Sequence, residues 1–208
     1  MYTVVDFEFN QAFDFGGGEV PDPACRFEII QIGAVKLDEN FNEISRFSEF
    51  IKPVVYKRLH PYVAKMTGIT EKDLKNAELF ENVYKKFREF SGDKHIYCVW
   101  GSSDVRVLYR NLAYHDMISG DIVAEYIDVQ QIMAKFLRYG KGRSIGLKNA
   151  MVMLGIKTDI PFHNALSDAV YTAEAFKRIH ECGDGIRVFN SKHIPKRIRT
   201  DKNASSKQ

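Results

Sequence analysis

Two regimes of apolar patterning follow one another along this 208-residue chain. Residues 2–9 (YTVVDFEF) form a run of β-branched and aromatic side chains, which predicts a buried strand. Residues 10–26 interrupt it, with Gly16, Gly17, Gly18, Pro21 and Pro23 excluding regular structure. A second strand is expected over 27–37 (FEIIQIGAVKL), a turn at Asp38-Glu39-Asn40, and a third strand near 43–51. Strands this close together suggest a meander of antiparallel pairs.

Helical spacing then takes over. Thr70 with Asp73 three residues later is a weak capping box at a helix start. Leu79, Val83, Phe87 and Phe90 recur at helical intervals within 78–91. The short apolar stretch 95–100 (HIYCVW) predicts a strand leading into GSSD and a helix over 103–115. A further strand at 127–129 precedes a helix holding Ile132, Met133, Phe136 and Leu137, which Gly140 and Gly142 end. Two more helices are expected over 144–154 and from about 164 to 182. Strands first, then helices interleaved with short strands, make an α/β fold: one mixed sheet with helices packed on it.

Composition adds bounds. A hydrophobic fraction of 45% with 27% charged residues is that of an ordinary globular domain. There is no apolar run long enough to span a bilayer and no basic-then-apolar leader pattern, so no membrane association is expected. Cys25, Cys98 and Cys182 are odd in number and lack metal-ligand spacing, which fits reduced thiols in a cytoplasmic protein. Seven of the 30 basic residues but one of the 27 acids fall in 187–208. The expected layout is therefore a domain over 1–186 and a basic, flexible tail over 187–208. Such a tail suits a polyanion partner or is simply a solvated terminus.

Five polar residues stand where the pattern predicts core. Asp6 and Glu8 are two apart on the first strand, so they share a face while Val5, Phe7 and Phe9 take the other. An exposed strand end would also tolerate such a pair, but the apolar neighbours argue against it. Asp104 follows the 95–100 strand at the start of a helix, where an acid alternatively just meets the helix dipole. His163 and Asp168 form H-x-x-x-x-D at a loop-to-helix junction with Asn164 as N-cap. A lone histidine there is commonly structural. Unpaired carboxylates gathered beside a core cost several kcal/mol each unless cations compensate. Hard oxygen ligands of this kind suit Mg²⁺ or Mn²⁺.

In the order D-x-E, a central D after an apolar strand and small residues, then H-x-x-x-x-D in a late helix, the chain resembles the DEDDh 3′-5′ exonucleases. These form a branch of the ribonuclease-H-like superfamily. The resemblance runs from Asp6 to about Phe176, and EIIQIGAV (28–35), MTGIT (66–70) and KGRSIGLKNAMVMLGI (141–156) are similar to segments of that family. It is nearest the branch acting on RNA 3′ ends, related to the histone-mRNA and RNA-interference exonucleases and to a bacterial sporulation-inhibitor-type exonuclease. The tyrosine form of the motif does not fit, because Asn stands at 164 and His163 lies five before Asp168. Asn10, where many members have Thr, and the long 10–26 loop depart from the pattern.

The resemblance implies a ribonuclease-H-like, mixed five-stranded sheet flanked by helices. It implies two divalent cations, Mg²⁺ or Mn²⁺, held by Asp6, Glu8, Asp104 and Asp168. His163 would take a proton from water, since histidine ionises near neutral pH. The implied activity is hydrolysis of single-stranded nucleic acid from its 3′ end, RNA favoured, releasing nucleoside 5′-monophosphates. Phe9 and Asn10 are the expected substrate contacts, Phe9 by stacking on a base or packing in the core, and the 10–26 loop with Phe13 and Phe15 is a candidate lid. The alternatives are a DNA 3′-5′ exonuclease with a repair or proofreading role, and a nucleic-acid-binding module that has lost catalysis. The acidic set has no gap, which disfavours the latter.

Overall fold

The computed structural model describes residues 1–13, 19–93, 95–118, 125–140, 142–181 and 188–190. Five strands build the expected mixed sheet: β1 (Tyr2–Gln11), β2 (Phe27–Leu37), β3 (Glu43–Phe50), β4 (Ile96–Val99) and β5 (Glu125–Asp128). Their order is β3-β2-β1-β4-β5. The β1–β2 and β2–β3 pairs are antiparallel, and β1–β4 and β4–β5 are parallel. A sixth strand, β6 (Val188–Asn190), pairs antiparallel with β5. The stretch expected to be tail from 187 onward therefore begins with paired backbone. An exposed β5 edge offers unpaired N–H and C=O groups, and the short Val-Phe-Asn segment fills them. Residues 191–208 lie outside the described residues.

Among the described residues there are seven helices: α1 (Pro61–Thr67), α2 (Glu71–Lys75), α3 (Phe80–Ser91), α4 (Ser103–Tyr114), α5 (Val129–Phe136), α6 (Leu147–Met153) and α7 (Ala165–Glu181). The Thr70–Asp73 capping box is formed at the start of α2. Helix α1 was not anticipated from the sequence. It has two turns and is capped by His60, whose Nδ1 accepts from the Tyr62 N–H at 3.2 Å, with Gly68 closing it at φ 74°. Histidine is not among the usual N-cap residues.

The helices cover both faces of the sheet. On one side Val4, Val35 and Ile127 pack with Met133, Met151, Ala169 and Phe176 from α5, α6 and α7. On the other, Val5, Phe7 and Ile32 pack with Phe80, Phe87, Leu108 and Leu112 from α3 and α4. Burial on both faces explains why β1 and β2 read as nearly continuous apolar runs rather than alternating ones.

Buried polar anchors hold the irregular segments to this frame. The Glu28 carboxylate accepts the backbone N–H groups of Val54, Val55 and Tyr56, the last two at 2.9 Å. Asn111 donates to the carbonyls of Phe27 and Val107 at 2.9 Å and accepts from the Ile29 N–H at 3.0 Å, which ties α4 to β2.

One contact sets the position of α7. A Cβ added to Gly33 would lie 2.1 Å from the backbone of Ala165 and Leu166, so the first turn of α7 rests directly on β2. The Gln31 side chain, two residues along the strand, accepts the Ala165 N–H at 3.2 Å. We expect Gly33→Ala to push α7 outward and to lower stability by about 1–3 kcal/mol, the usual range for overpacking. Urea unfolding checks this, and an unchanged midpoint would show that the contact is compliant.

Candidate active site

Period-2 geometry decides where the N-terminal acids point. Asp6 pairs across the sheet with Gly33 and Glu8 with Gln31. With Val5 and Phe7 in the core beneath α3 and α4, Asp6 and Glu8 face the side that α7 covers. Because Gly33 and Gln31 are also the seat of α7, the helix arrives beside these carboxylates. Its N-cap is Asn164, whose Oδ1 accepts the Leu166 and Ser167 N–H groups at 3.2 and 3.4 Å. The Asn164 carbonyl accepts the Asp168 N–H at 2.9 Å. Asp168, in the first turn, thus faces β1. Asp6, Glu8 and Asp168 each offer a carboxylate oxygen, all within 4.8 Å of one another.

Asp104 lies in the first turn of α4 and is buried. It stands beside the three-carboxylate group rather than within it. Its charge is nevertheless the strongest neighbouring one felt by Asp6. His163 is exposed, with a left-handed backbone at φ 63°. Its N–H donates to Asp168 Oδ2 at 3.1 Å. A non-glycine residue in that conformation is strained by about 1 kcal/mol or more, and the Asp168 contact helps hold it.

The electrostatics are those of negative charge without a counterpart. Burial first, then Asp104, Asp168 and Glu8, lifts the Asp6 carboxyl well above its ordinary range. Burial, Asp168 and Asp104 push Glu8 up to about 8. Burial raises Asp104 to about 7, against a hydrogen bond from Ser103 and with added repulsion from Asp128 and Asp168. Asp168 rises to about 6 through burial, opposed by the His163 N–H and the His163 charge. Among the described residues Asp168 Oδ1 is buried without a hydrogen-bond partner. Three convergent carboxylates, a buried acceptor left over and a repulsive surplus of charge fit a divalent cation, which takes oxygen ligands and neutralises them together.

The two expected substrate contacts are placed differently. The β1–β2 register shifts between Glu8 and Phe9. The Phe9 ring lies 6.4 Å from the rings of both Phe7 and Phe27, so it packs with the opposite core and not over the carboxylates. Asn10 is fully buried. Its amide donates to the Tyr56 and Arg58 carbonyls at 3.2 and 3.0 Å and accepts the His60 N–H at 3.0 Å. Its side chain is a clamp on the 56–60 segment and is not brought to the carboxylates. In the candidate lid, Phe13 packs under the Arg58 guanidinium at 4.4 Å, while Phe15 lies outside the described residues.

Sequence reasoning missed Gly33 and Gln31. Both lie in a strand read as ordinary core, and only the approach of α7 reveals their part. Glu28 was missed for the same reason: its three partners sit on a distant loop.

The family model described as Exonuclease (RNase_T) matches residues 4–176. The probable 3′-5′ exonuclease KapD of Bacillus subtilis is 26% identical over 180 residues, 86% of this chain and 83% of KapD. The PolC-type DNA polymerase III of Streptococcus pneumoniae is 30% identical over 117 residues, 55% of this chain. That match spans 8% of the polymerase. Among solved structures, the nuclease domain of 3′hExo, a DEDDh family member bound to rAMP, superposes with a TM-score of 0.78 at 20% identity, covering 91% of this chain and 96% of that one. Exonuclease I of E. coli in complex with a dT13 oligonucleotide gives 0.59 at 19% identity, over 86% and 41% of the two chains. No helix among the described residues is long and apolar enough to cross a membrane.

The raised carboxyls have a consequence for stability. Groups whose folded-state pKa exceeds the unfolded value bind more protons when folded, so their contribution is present at low pH and is lost as pH rises. With Asp168 near 6, Asp104 near 7 and Glu8 near 8, the window runs from about pH 4 to about pH 8. In chelator, the melting temperature is expected to fall by roughly 4–8 °C between pH 5 and pH 8, equivalent to about 2 kcal/mol. Mn²⁺ or Mg²⁺ at pH 8 restores it. Thermal unfolding followed by circular dichroism tests both parts. A flat profile in chelator would mean that the charges are already compensated.

Proposed function

This chain belongs to the exonuclease family, and on that premise we propose that it hydrolyses single-stranded nucleic acid from the 3′ end, RNA before DNA, releasing nucleoside 5′-monophosphates. The observation that carries the reading is the meeting of Asp6, Glu8 and Asp168 within 4.8 Å, with Asp104 alongside. Asp6, Glu8 and Asp168 would hold one Mg²⁺ or Mn²⁺, and Asp6 with Asp104 a second. Bound there, such ions stabilise charge on the phosphate and acidify water.

The remaining work falls to the chain. His163 sits at the mouth of the site with an exposed imidazole. It accepts the proton of the attacking water, and Asp168 orients the residue by taking its N–H. Asn10 fixes the 56–60 segment against the end of β1. The backbone at Phe9 and Asn10, next to Glu8, meets the terminal 3′-hydroxyl, which makes a free end a requirement. Phe9 supports that backbone from the core side. The preference for RNA is supported by the likeness to 3′hExo, whose structure holds rAMP.

A second reading, a DNA 3′-5′ exonuclease with a proofreading or repair role, is favoured by one specific observation. The similarity to PolC-type DNA polymerase III reaches 30% identity. The catalytically lapsed alternative finds no support in a set of acids that is complete and convergent.

Asp6→Asn and Asp168→Asn are expected to abolish hydrolysis, and His163→Ala to lower kcat by roughly 10² or more. The measurement is stepwise shortening of 5′-labelled RNA and DNA 12-mers with Mn²⁺ or Mg²⁺, their 3′ ends free or phosphate-blocked. Equal cleavage of blocked and free ends would rule out exonuclease action. Wild-type turnover by His163→Ala would remove the histidine from the mechanism.

A further inference from the structure

Beside Asp104 the surface opens into a cleft of about 680 Å³ between the start of α4, the end of α5 and the loop that follows. Four cations line it: Arg106, Lys135, Arg138 and Arg143, all exposed. Among the described residues none of the four is paired with a carboxylate. Asp128 is the one acid among the described lining residues, and its carboxylate is engaged by the backbone N–H groups of Gln131, Gly101 and Gln130. None of the described lining residues is aromatic, so they offer no ring for a base to stack on.

The cleft is held open by specific contacts. Gly101, at φ 92°, forms part of the lining, and a Cβ there would lie 2.9 Å from Gln130 Oε1. The Gln130 amide and the Trp100 indole both donate to the Ile145 carbonyl, at 2.9 and 3.2 Å. Those two bonds fasten the loop bearing Arg143 to the end of β4 and the start of α5. Ser102, the N-cap of α4, makes no side-chain cap bond, so the first-turn N–H groups add to the positive field. Ser103 and Arg106, three apart on α4, share the face turned toward the cleft, and Asp104 between them is buried toward the carboxylate group.

Resting on the reading as a 3′-end exonuclease, we propose that this cleft grips backbone phosphates of the substrate strand on the 5′ side of the linkage being cut. Strand β5, which carries Asp128, lies two places from β1 in the sheet, about 10 Å away at the usual inter-strand spacing. A phosphate in the cleft is therefore not the one at the carboxylates. It belongs to a later linkage of the same strand. Guanidinium groups paired with phosphate oxygens fix the strand without carrying sequence information. The cleft thus supplies length-dependent, sequence-independent affinity.

The test combines Arg138→Gln and Arg143→Gln, two exposed positions, with Arg138→Lys and Arg143→Lys as the charge-retaining counterpart. Binding of a 3′-phosphate-blocked RNA 12-mer is followed by fluorescence anisotropy in chelator, so that it does not depend on turnover. The Gln pair is expected to raise Kd at least tenfold. It should also reduce the slope of log K against log salt by about 1.4, two single-strand phosphate contacts. The Lys pair retains most of the affinity. In hydrolysis, KM for a free 12-mer rises with kcat little changed, and a dinucleotide, too short to reach the cleft, keeps its kcat/KM. Wild-type affinity in the Gln pair, or a parallel loss on the dinucleotide, would overturn the proposal. So would a Kd for 5′-AMP that rises together with that of the 12-mer, which would make the cleft a mononucleotide pocket. If the wild-type protein cuts nothing but 12-mer binding still depends on these arginines, the exonuclease reading falls and the phosphate cleft stands.

Discussion

The molecule turns on the place where a helix meets a strand with no side chain between them. Gly33 gives α7 a seat at backbone contact distance, and Gln31 holds its first N–H. Because Asp6 and Glu8 are the residues paired with Gly33 and Gln31, seating the helix and assembling the carboxylates are one event. Moving α7 by the width of a methyl group would dilute the charge density that makes a cation site. The surrounding packing of Ala169, Ala173 and Phe176 against the sheet keeps the helix from drifting along it.

That arrangement stores repulsion. Four carboxyls raised together would favour separation if nothing opposed it, and three kinds of restraint do. The strand carrying two of them is buried on both faces, the helix carrying Asp168 is pinned at its N-terminus, and α4, carrying Asp104, is fastened to β2 through Asn111. Each restraint lies outside the charged group itself. The site is therefore shaped before a cation arrives, which is what catalysis by preorganised electrostatics needs.

How much of this was legible from the residues alone follows from how local each signal is. The strand over 27–37 matches β2 to the residue because both faces are apolar and the turn chemistry beside it is strong. The helices α3 and α5 announced themselves by periodicity, and α4 and α7 by the motifs at their starts. The cap at Asn164 was readable for the same reason. Helix α1 was not, being two turns long and capped by histidine, and β6 was hidden in a basic stretch whose charge dominates its pattern. In the site, Asp6, Glu8 and Asp168 stood out as acids among apolar residues. Phe9 lies on the Val5–Phe7 face, where strand alternation puts it, and only its place next to Glu8 in the chain suggested a substrate contact. Asn10 looked like a site residue by adjacency, yet its partners are fifty residues further on. Gly33 and Gln31 carry no sequence signal, since their meaning lies entirely in what touches them.

The three convergent carboxylates are separated by some 160 positions in the chain. A polypeptide still being synthesised has its first two acids long before the third exists. Until the last long helix emerges and docks, the group of Asp6, Glu8 and Asp168 lacks its third member.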